Sequence, residues 1–163
     1  MTSLITKGTT PHNKISQETV NFIKIENIDN STGIIKSTSK ISKEEHDGYL
    51  SRSKLKDGDI LFSIAGTLGR VVTINKAILP ANTNQALAII RLKNGNQKYV
   101  STYLKGHAVD DFIKRNPTTG AQPNLSLAQI GNLLIDVPTL QEQERIGSFF
   151  DNLDILIALH QRK

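Results

Sequence analysis

Apolar and polar residues alternate through "VNFIKIENI" (Val20 to Ile28), with Phe22 and Ile23 side by side, and this two-residue period predicts a half-buried strand. From Asp29 to Lys43, "DNSTGIIKSTSKISK" has little apolar patterning and reads as a long polar connection, after which "EEHDGYLSRSKL" offers a short helix. "KDGD" (Lys56 to Asp59) is a turn signal leading into the apolar run "ILFSIA", and "GTLG" leads into "RVVTI". These two runs predict a hairpin or neighbouring strands. The polar stretch "LPANTNQ" separates them from "ALAIIRL" (Ala86 to Leu92), long and apolar enough for a central strand.

The period then changes from two to three and four. Val100, Tyr103, Leu104, Ala108 and Phe112 predict an amphipathic helix from Lys98 that Pro117 ends, with Gly106 inside it. Ser126 and Gln129 form a capping box for a short helix "LAQIGN", and "LLIDV" follows as a further strand closed by Pro138. Thr139 and Glu142 form a second capping box. The helix they open carries Ile146, Phe149, Phe150, Leu153, Leu156, Ile157 and His160 along one side, a coiled-coil-like seam. From Leu140 to Arg162 it would run about 33 Å at ~1.5 Å per residue. Such a stripe needs a covering surface, either its own domain or another helix, because each side chain contributes about 1.5–3 kcal/mol when buried. The pattern leaves both open.

The 163 residues suffice for one ordinary core. With 37% hydrophobic and 21% charged residues, and no run of the length a bilayer crossing needs, a soluble protein is expected. There is no cysteine and no signal-peptide pattern at the N-terminus, which points to a cytoplasmic location and excludes disulfides and thiolate metal sites. The four histidines are scattered, so no metal site is expected. Asp57 and Asp59 flank a glycine in a turn context, and Asp110 and Asp111 are adjacent on a helix, so neither pair reads as catalytic. No phosphate-cradling or nucleophile-elbow motif occurs. "GTLG" is a strand connection first, with Thr67 and Arg70 beside it in reach of a phosphate.

Charge changes the picture. Residues 1 to 118 hold 17 Lys and Arg against 10 Asp and Glu, whereas residues 119 to 163 hold 3 against 5. A basic body with polar loops suits DNA, since Lys and Arg neutralise phosphates while Asn, Gln and Arg match purine edges. The candidate DNA-contacting residues are Lys7, Thr9, Lys36, Lys40, Arg52, Arg70, Asn84, Gln85, Thr119 and Gln122. Aromatics are only 5% and fall mostly on core-facing positions, which favours a duplex reader over a base-stacking single-strand or RNA platform.

"LKDGDILFSIAGTLGRVVTINK", "TNQALAIIRL" and "NPTTGAQPNLSLAQIGNLLIDVPTLQEQERIGSFFDNLDILI" together resemble the specificity subunits of type I restriction-modification systems. The resemblance covers nearly the whole chain. It rests on the order of its pieces: the G-D-I-L-F strand start, the G-x-x-G turn, T-N-Q before a central strand, the T-G-x-x-x-x-L-S loop, and I-x-V-P-x-L-x-E-Q-x-x-I opening a helix.

The resemblance implies a mixed α/β target-recognition domain over residues 1–138, followed by a long C-terminal coiled-coil-like spacer helix over 139–163. It makes Gly66, Gly69 and Thr83 to Gln85 shared scaffold and places target choice in Ile28 to Lys54. It also implies a non-catalytic subunit that reads duplex DNA and docks methyltransferase subunits and, through them, a restriction subunit. S-adenosylmethionine, ATP and Mg²⁺ would then act in those partners, with no cofactor in this chain. The family's subunits usually hold two such units and this chain has one, so a homodimer through the helix and a palindromic bipartite target are expected. Two rivals remain: an interaction module that binds DNA without sequence preference, and a standalone nuclease or methyltransferase, against which stands the lack of a recognisable carboxylate-metal set or cofactor loop.

Overall fold

The computed structural model describes residues 1–12, 18–29, 34–116 and 123–160. Its architecture follows from the two most apolar runs. Strands β4 (Ile60–Ser63) and β7 (Leu87–Leu92) pair antiparallel in the middle of a four-stranded sheet, with β1 (Thr2–Lys7) outside β7 and β5 (Val71–Thr73) outside β4. Both central strands are covered on both faces, which is why they read as continuous apolar runs instead of alternating ones.

Ile60, Phe62, Ala88 and Ile90 turn to one side and join a core with Tyr99, Val100 and Leu104 of α2 (Gln97–Leu104), Val109 of α3 (His107–Arg115) and Ile130 of α4 (Leu127–Gly131). Leu61, Leu87 and Ile89 turn to the other side and meet Ile23 and Ala81. Those two belong to a second sheet of β3 (Ser39–Ser42), β2 (Glu18–Ile23) and β6 (Ala81–Thr83), in which β2 runs antiparallel to β3 and parallel to β6. A third cluster, Val20, Phe22, Ile41 and Leu50, lies on the outer face of that sheet beside α1 (Lys43–Asp47). The layers are helices, four-stranded sheet, three-stranded sheet, short helix, giving the mixed α/β class expected.

A buried ion pair ties the turn at Lys56–Asp59 to the central strand. Asp59, 1% exposed, receives two hydrogen bonds of 2.7 Å from Nε and Nη2 of Arg91 and a third of 2.8 Å from the Lys56 N–H. The carboxylate holds the Arg91 guanidinium above its ordinary pKa.

Several elements differ from the sequence expectations. The Val20–Ile28 strand ends at Ile23, and Ile25–Asn27 form a single 3-10 turn in which the Lys24 N–H donates to Asn27 Oδ1 at 2.8 Å. The helix expected from Lys98 breaks in two because Gly106 caps the start of α3 in an extended conformation. The polar connection 29–43 contains β3, and "LPANTNQ" contains β6. "LLIDV" is not a strand: Leu133 and Ile135 pack on the helical core while Leu134 is 89% exposed, so its alternation serves packing without a strand partner.

The C-terminal helix α5 (Leu140–His160) opens as the capping box predicts. Thr139 Oγ1 accepts from the Glu142 N–H at 3.3 Å, and Glu142 Oε2 accepts from the Thr139 hydroxyl at 2.8 Å and the Thr139 N–H at 3.1 Å, the hydroxyl bond first and the N–H second holding the Glu142 carboxyl below its ordinary pKa. None of the described helices is long and apolar enough to cross a membrane.

Candidate nucleic-acid interface

The segment after β1 is fastened to the body by its main chain. Gly8 N–H donates to Leu87 O at 3.3 Å, Thr9 N–H to Thr83 O at 3.1 Å, and His12 N–H to Glu45 Oε1 at 2.8 Å. Only glycine fits at position 8, where an ideal Cβ would stand 1.9 Å from the Thr83 carbonyl oxygen. Glu45 is itself fixed at the start of α1, its N–H bonded to the capping Ser42 hydroxyl at 3.2 Å.

Behind the loop lies a polar network that joins the three-stranded sheet to α1 and the turn after it. Asn82, fully buried, donates through Nδ2 to Leu50 O at 2.9 Å and to Ser53 Oγ at 3.2 Å, and its Oδ1 lies in close contact with His46 Nδ1. Because that oxygen only accepts, His46 carries a proton on Nδ1. Thr83, also fully buried, donates its hydroxyl to Ile23 O at 2.8 Å. The T-N-Q motif thus divides its labour. Thr83 stitches β6 to β2, Asn84 accepts from the Ala86 N–H at 3.2 Å to close the turn, and Gln85 reaches solvent.

The outcome is an open concavity of about 390 Å³ lined by Lys7, Gly8, Thr9, Thr10, Pro11, His12, Tyr49 and Gln85. Thr10 Oγ1 donates to Gln85 Oε1 at 2.5 Å, and the His12 and Tyr49 rings lie 3.8 Å apart between centroids at 43°. One charged rim, several short polar side chains and one exposed amide on a fixed backbone are suited to a polyanion whose edges carry hydrogen-bonding groups.

Of the sequence candidates, Lys7, Thr9 and Gln85 come together here, with Asn84 immediately behind. Lys36, Lys40, Arg52 and Arg70 do not line the concavity. Lys36 pairs with Asp29 at 2.6 Å, Lys40 Nζ donates to Asn21 Oδ1 at 2.7 Å, and Arg52 is exposed in the turn Ser51–Ser53. Arg70 Nη1 donates to the carbonyls of Ile25 and Ile28, both at 3.1 Å, so its half-buried guanidinium clasps the turn after β2. Beside it, Gly66 and Gly69 have φ of +73° and +81°, making "GTLG" the strand connection expected. Thr119 and Gln122 lie outside the described residues.

His12 and Tyr49 are not among the individual DNA-contact candidates, although His12 lies within the basic stretch Lys7 to Lys14 and Tyr49 within the Ile28 to Lys54 stretch to which the resemblance assigns target choice. The expectation that aromatics face the core fails at Tyr49, which is half exposed because the tight turn after α1 carries it outward. Among the described residues of the stretch Ile28 to Lys54, only Tyr49 lines the concavity.

The second surface is on α5. Ile146, Phe149, Phe150, Leu153, Leu156 and Ile157 are each between 36% and 60% exposed, and Phe149 and Phe150 form an edge-on pair 5.4 Å apart. The helix does lie on its own body, but by a different stripe. Gln143 and Gly147 are buried against α2, and Asp151 and Asp154 pair with Lys98 at 2.6 Å and Lys105 at 3.2 Å. The choice that the pattern left open resolves as a polar and small-residue docking face with the apolar seam uncovered.

The chain is thus a two-sheet body with a fixed polar loop patch, carrying a helix whose apolar seam is open. The chain belongs to the type I restriction modification DNA specificity domain family, whose model matches residues 3–163. It is 25% identical over 131 residues to the Type I restriction enzyme EcoBI specificity subunit of Escherichia coli, covering 78% of this chain and 27% of that protein. Its fold matches the HsdS subunit from Thermoanaerobacter tengcongensis with a TM-score of 0.70 at 17% identity, over 88% of this chain and 37% of that one. A chain from a structure concerned with complex assembly and conformational transition of the type I R-M system gives 0.70 at 17% identity, over 97% and 37%. The chain therefore spans well under half the length of the relatives it matches.

Proposed function

We propose that this chain is a non-catalytic specificity half-subunit that reads one half-site of a bipartite duplex DNA target and pairs with a second copy through α5. The observation that carries this reading is the concavity at Lys7–His12, Tyr49 and Gln85, whose backbone is held by main-chain bonds while its side chains point to solvent. Gln85 and Thr9 supply donors and acceptors for base edges, and Lys7 supplies phosphate contact. The uncovered seam supports self-association, and two copies would restore the pair of recognition units that the resemblance implies. Methyl transfer from S-adenosylmethionine and ATP- and Mg²⁺-dependent cleavage belong to methyltransferase and restriction subunits that this chain directs in the cytoplasm.

Methylation-site mapping in cells carrying the partner methyltransferase, with and without this chain, tests the reading. A palindromic bipartite motif is expected only when the chain is present. Gln85→Ala should relax one position of each half-site at a cost of about 1–3 kcal/mol, whereas Lys7→Ala should weaken all duplexes alike. Equal affinity for target and scrambled duplexes with the partner subunits present would instead leave a nonspecific interaction module. Cleavage or methylation of DNA by the purified chain alone would refute the non-catalytic assignment.

A further inference from the structure

We propose that Gln143 and Gly147 set the angle at which α5 leaves the body and thereby determine the spacing of the two half-sites; the spacing role rests on the bipartite reading above. Gln143 is 3% exposed and wedged between the starts of two helices. Its Oε1 accepts from the Asn96 N–H at 2.9 Å and its Nε2 donates to Pro138 O at 2.8 Å, while Asn96 Oδ1 caps α2 by accepting from the Tyr99 N–H at 3.0 Å. One turn further on, Gly147 lies directly on the first turn of α2. A Cβ there would meet Tyr99 N at 2.8 Å, Asn96 Oδ1 at 2.9 Å and Lys98 Cβ at 2.9 Å.

These two contacts are short-ranged and made by buried residues. The remaining two on the same stripe, Lys98–Asp151 and Lys105–Asp154, are exposed ion pairs on long side chains that tolerate several geometries. Gln143 is therefore the pivot and Gly147 the stop. Gly147 lies about 6 Å beyond the pivot and His160 about 25 Å beyond it, at ~1.5 Å per residue. An added methyl at Gly147 must retreat by about 1 Å to reach ordinary carbon contact distance. The lever turns that into roughly 4 Å at the far end of the helix, more than the ~3.4 Å rise of one base step.

The chain has no cysteine, so Lys76→Cys on the body and Asn152→Cys on the solvent side of α5 give a clean pair for distance measurement by double electron resonance. Residue 152 lies about 13.5 Å beyond the pivot, so Gly147→Ala should shift the mean label separation by about 2 Å with far-ultraviolet helicity unchanged, because Ala favours the helix itself. Gln143→Ala, which adds no bulk, should broaden the distribution, and Arg145→Ala should do neither. With the methyltransferase present, duplexes with graded spacers should show the preferred spacing of Gly147→Ala displaced by at least one base pair and its affinity for a single half-site retained. An unchanged separation overturns the docking account. A shifted separation with unchanged spacing overturns the spacing role. A wild-type chain without any spacing preference refutes the bipartite reading, and the spacing role with it, while the label distances still report whether Gly147 sets the angle.

Discussion

Truncating Phe150 to alanine should dissociate the proposed dimer, and its exposure sets the expected size. The side chain is already partly covered along α5 and remains 43% exposed. Full burial of a phenylalanine contributes up to about 3 kcal/mol, so covering the remainder is worth about 1.3 kcal/mol in one copy. A two-fold interface uses the same patch twice, which doubles this to about 2.6 kcal/mol. At ~1.4 kcal/mol per tenfold, the dissociation constant should rise roughly 70-fold. Sedimentation equilibrium over a concentration series measures it, with Asn152→Ala on the opposite side of the helix as the control. A change below about fivefold, or the same change in both variants, would refute the seam as the interface. A wild-type chain that stays monomeric at high concentration without partner subunits would refute the homodimer itself.

Other consequences concern the scaffold. Arg91→Leu strands the Asp59 carboxylate in the core and should lower stability by about 3–5 kcal/mol, a fall of roughly 10 °C or more in the thermal midpoint; a loss under about 1 kcal/mol in urea titration would show the pair to be dispensable. Gly8→Ala must push the loop off Thr83, so DNA affinity should fall by about tenfold or more while the thermal midpoint drops only a few degrees; unaltered binding would uncouple the loop from recognition. The Glu142 carboxyl is held below its ordinary pKa by Thr139, so its contribution to the start of α5 is present above the unfolded value and lost as pH falls through the depressed one. Amide exchange at positions 139 and 142 should accelerate in that acidic window in the wild type and be pH-insensitive there, beyond intrinsic exchange, in Glu142→Gln, which removes the titrating carboxyl.

Local patterns were legible where local chemistry decides them. Both capping boxes form as read from Ser126–Gln129 and Thr139–Glu142, and the hairpin of β4 and β5 follows from two apolar runs with a turn between them. Elements with no apolar period of their own, held only by distant partners, are not legible. Strand β1 exists because Ile5 pairs with Ile90, far along the chain, and β6 is held through the buried polar side chains of Asn82 and Thr83, which no apolar period announces. The same divide runs through the site. Residue type alone points to Lys7, Thr9 and Gln85, yet only the fold brings His12 and Tyr49 beside them. Arg70 was chosen by charge, and nothing nearby in sequence reveals that two carbonyls of the turn after β2 engage it.

The manner in which the loop after β1 is fastened bears on how such a surface changes over time. At Gly8, Thr9 and His12 the N–H groups make the attachments, and Thr83 presents its carbonyl to one of them. Side chains at 9 and 12 can therefore be exchanged without loosening the loop that displays them, whereas those at 10 and 85 are tied to each other by the Thr10–Gln85 hydrogen bond and would change together. Substitution at such exposed positions usually costs little stability. A lineage could thus acquire new preferences in small steps on an unaltered frame, with Gly8, Glu45, Asn82 and Thr83 as the positions that must stay.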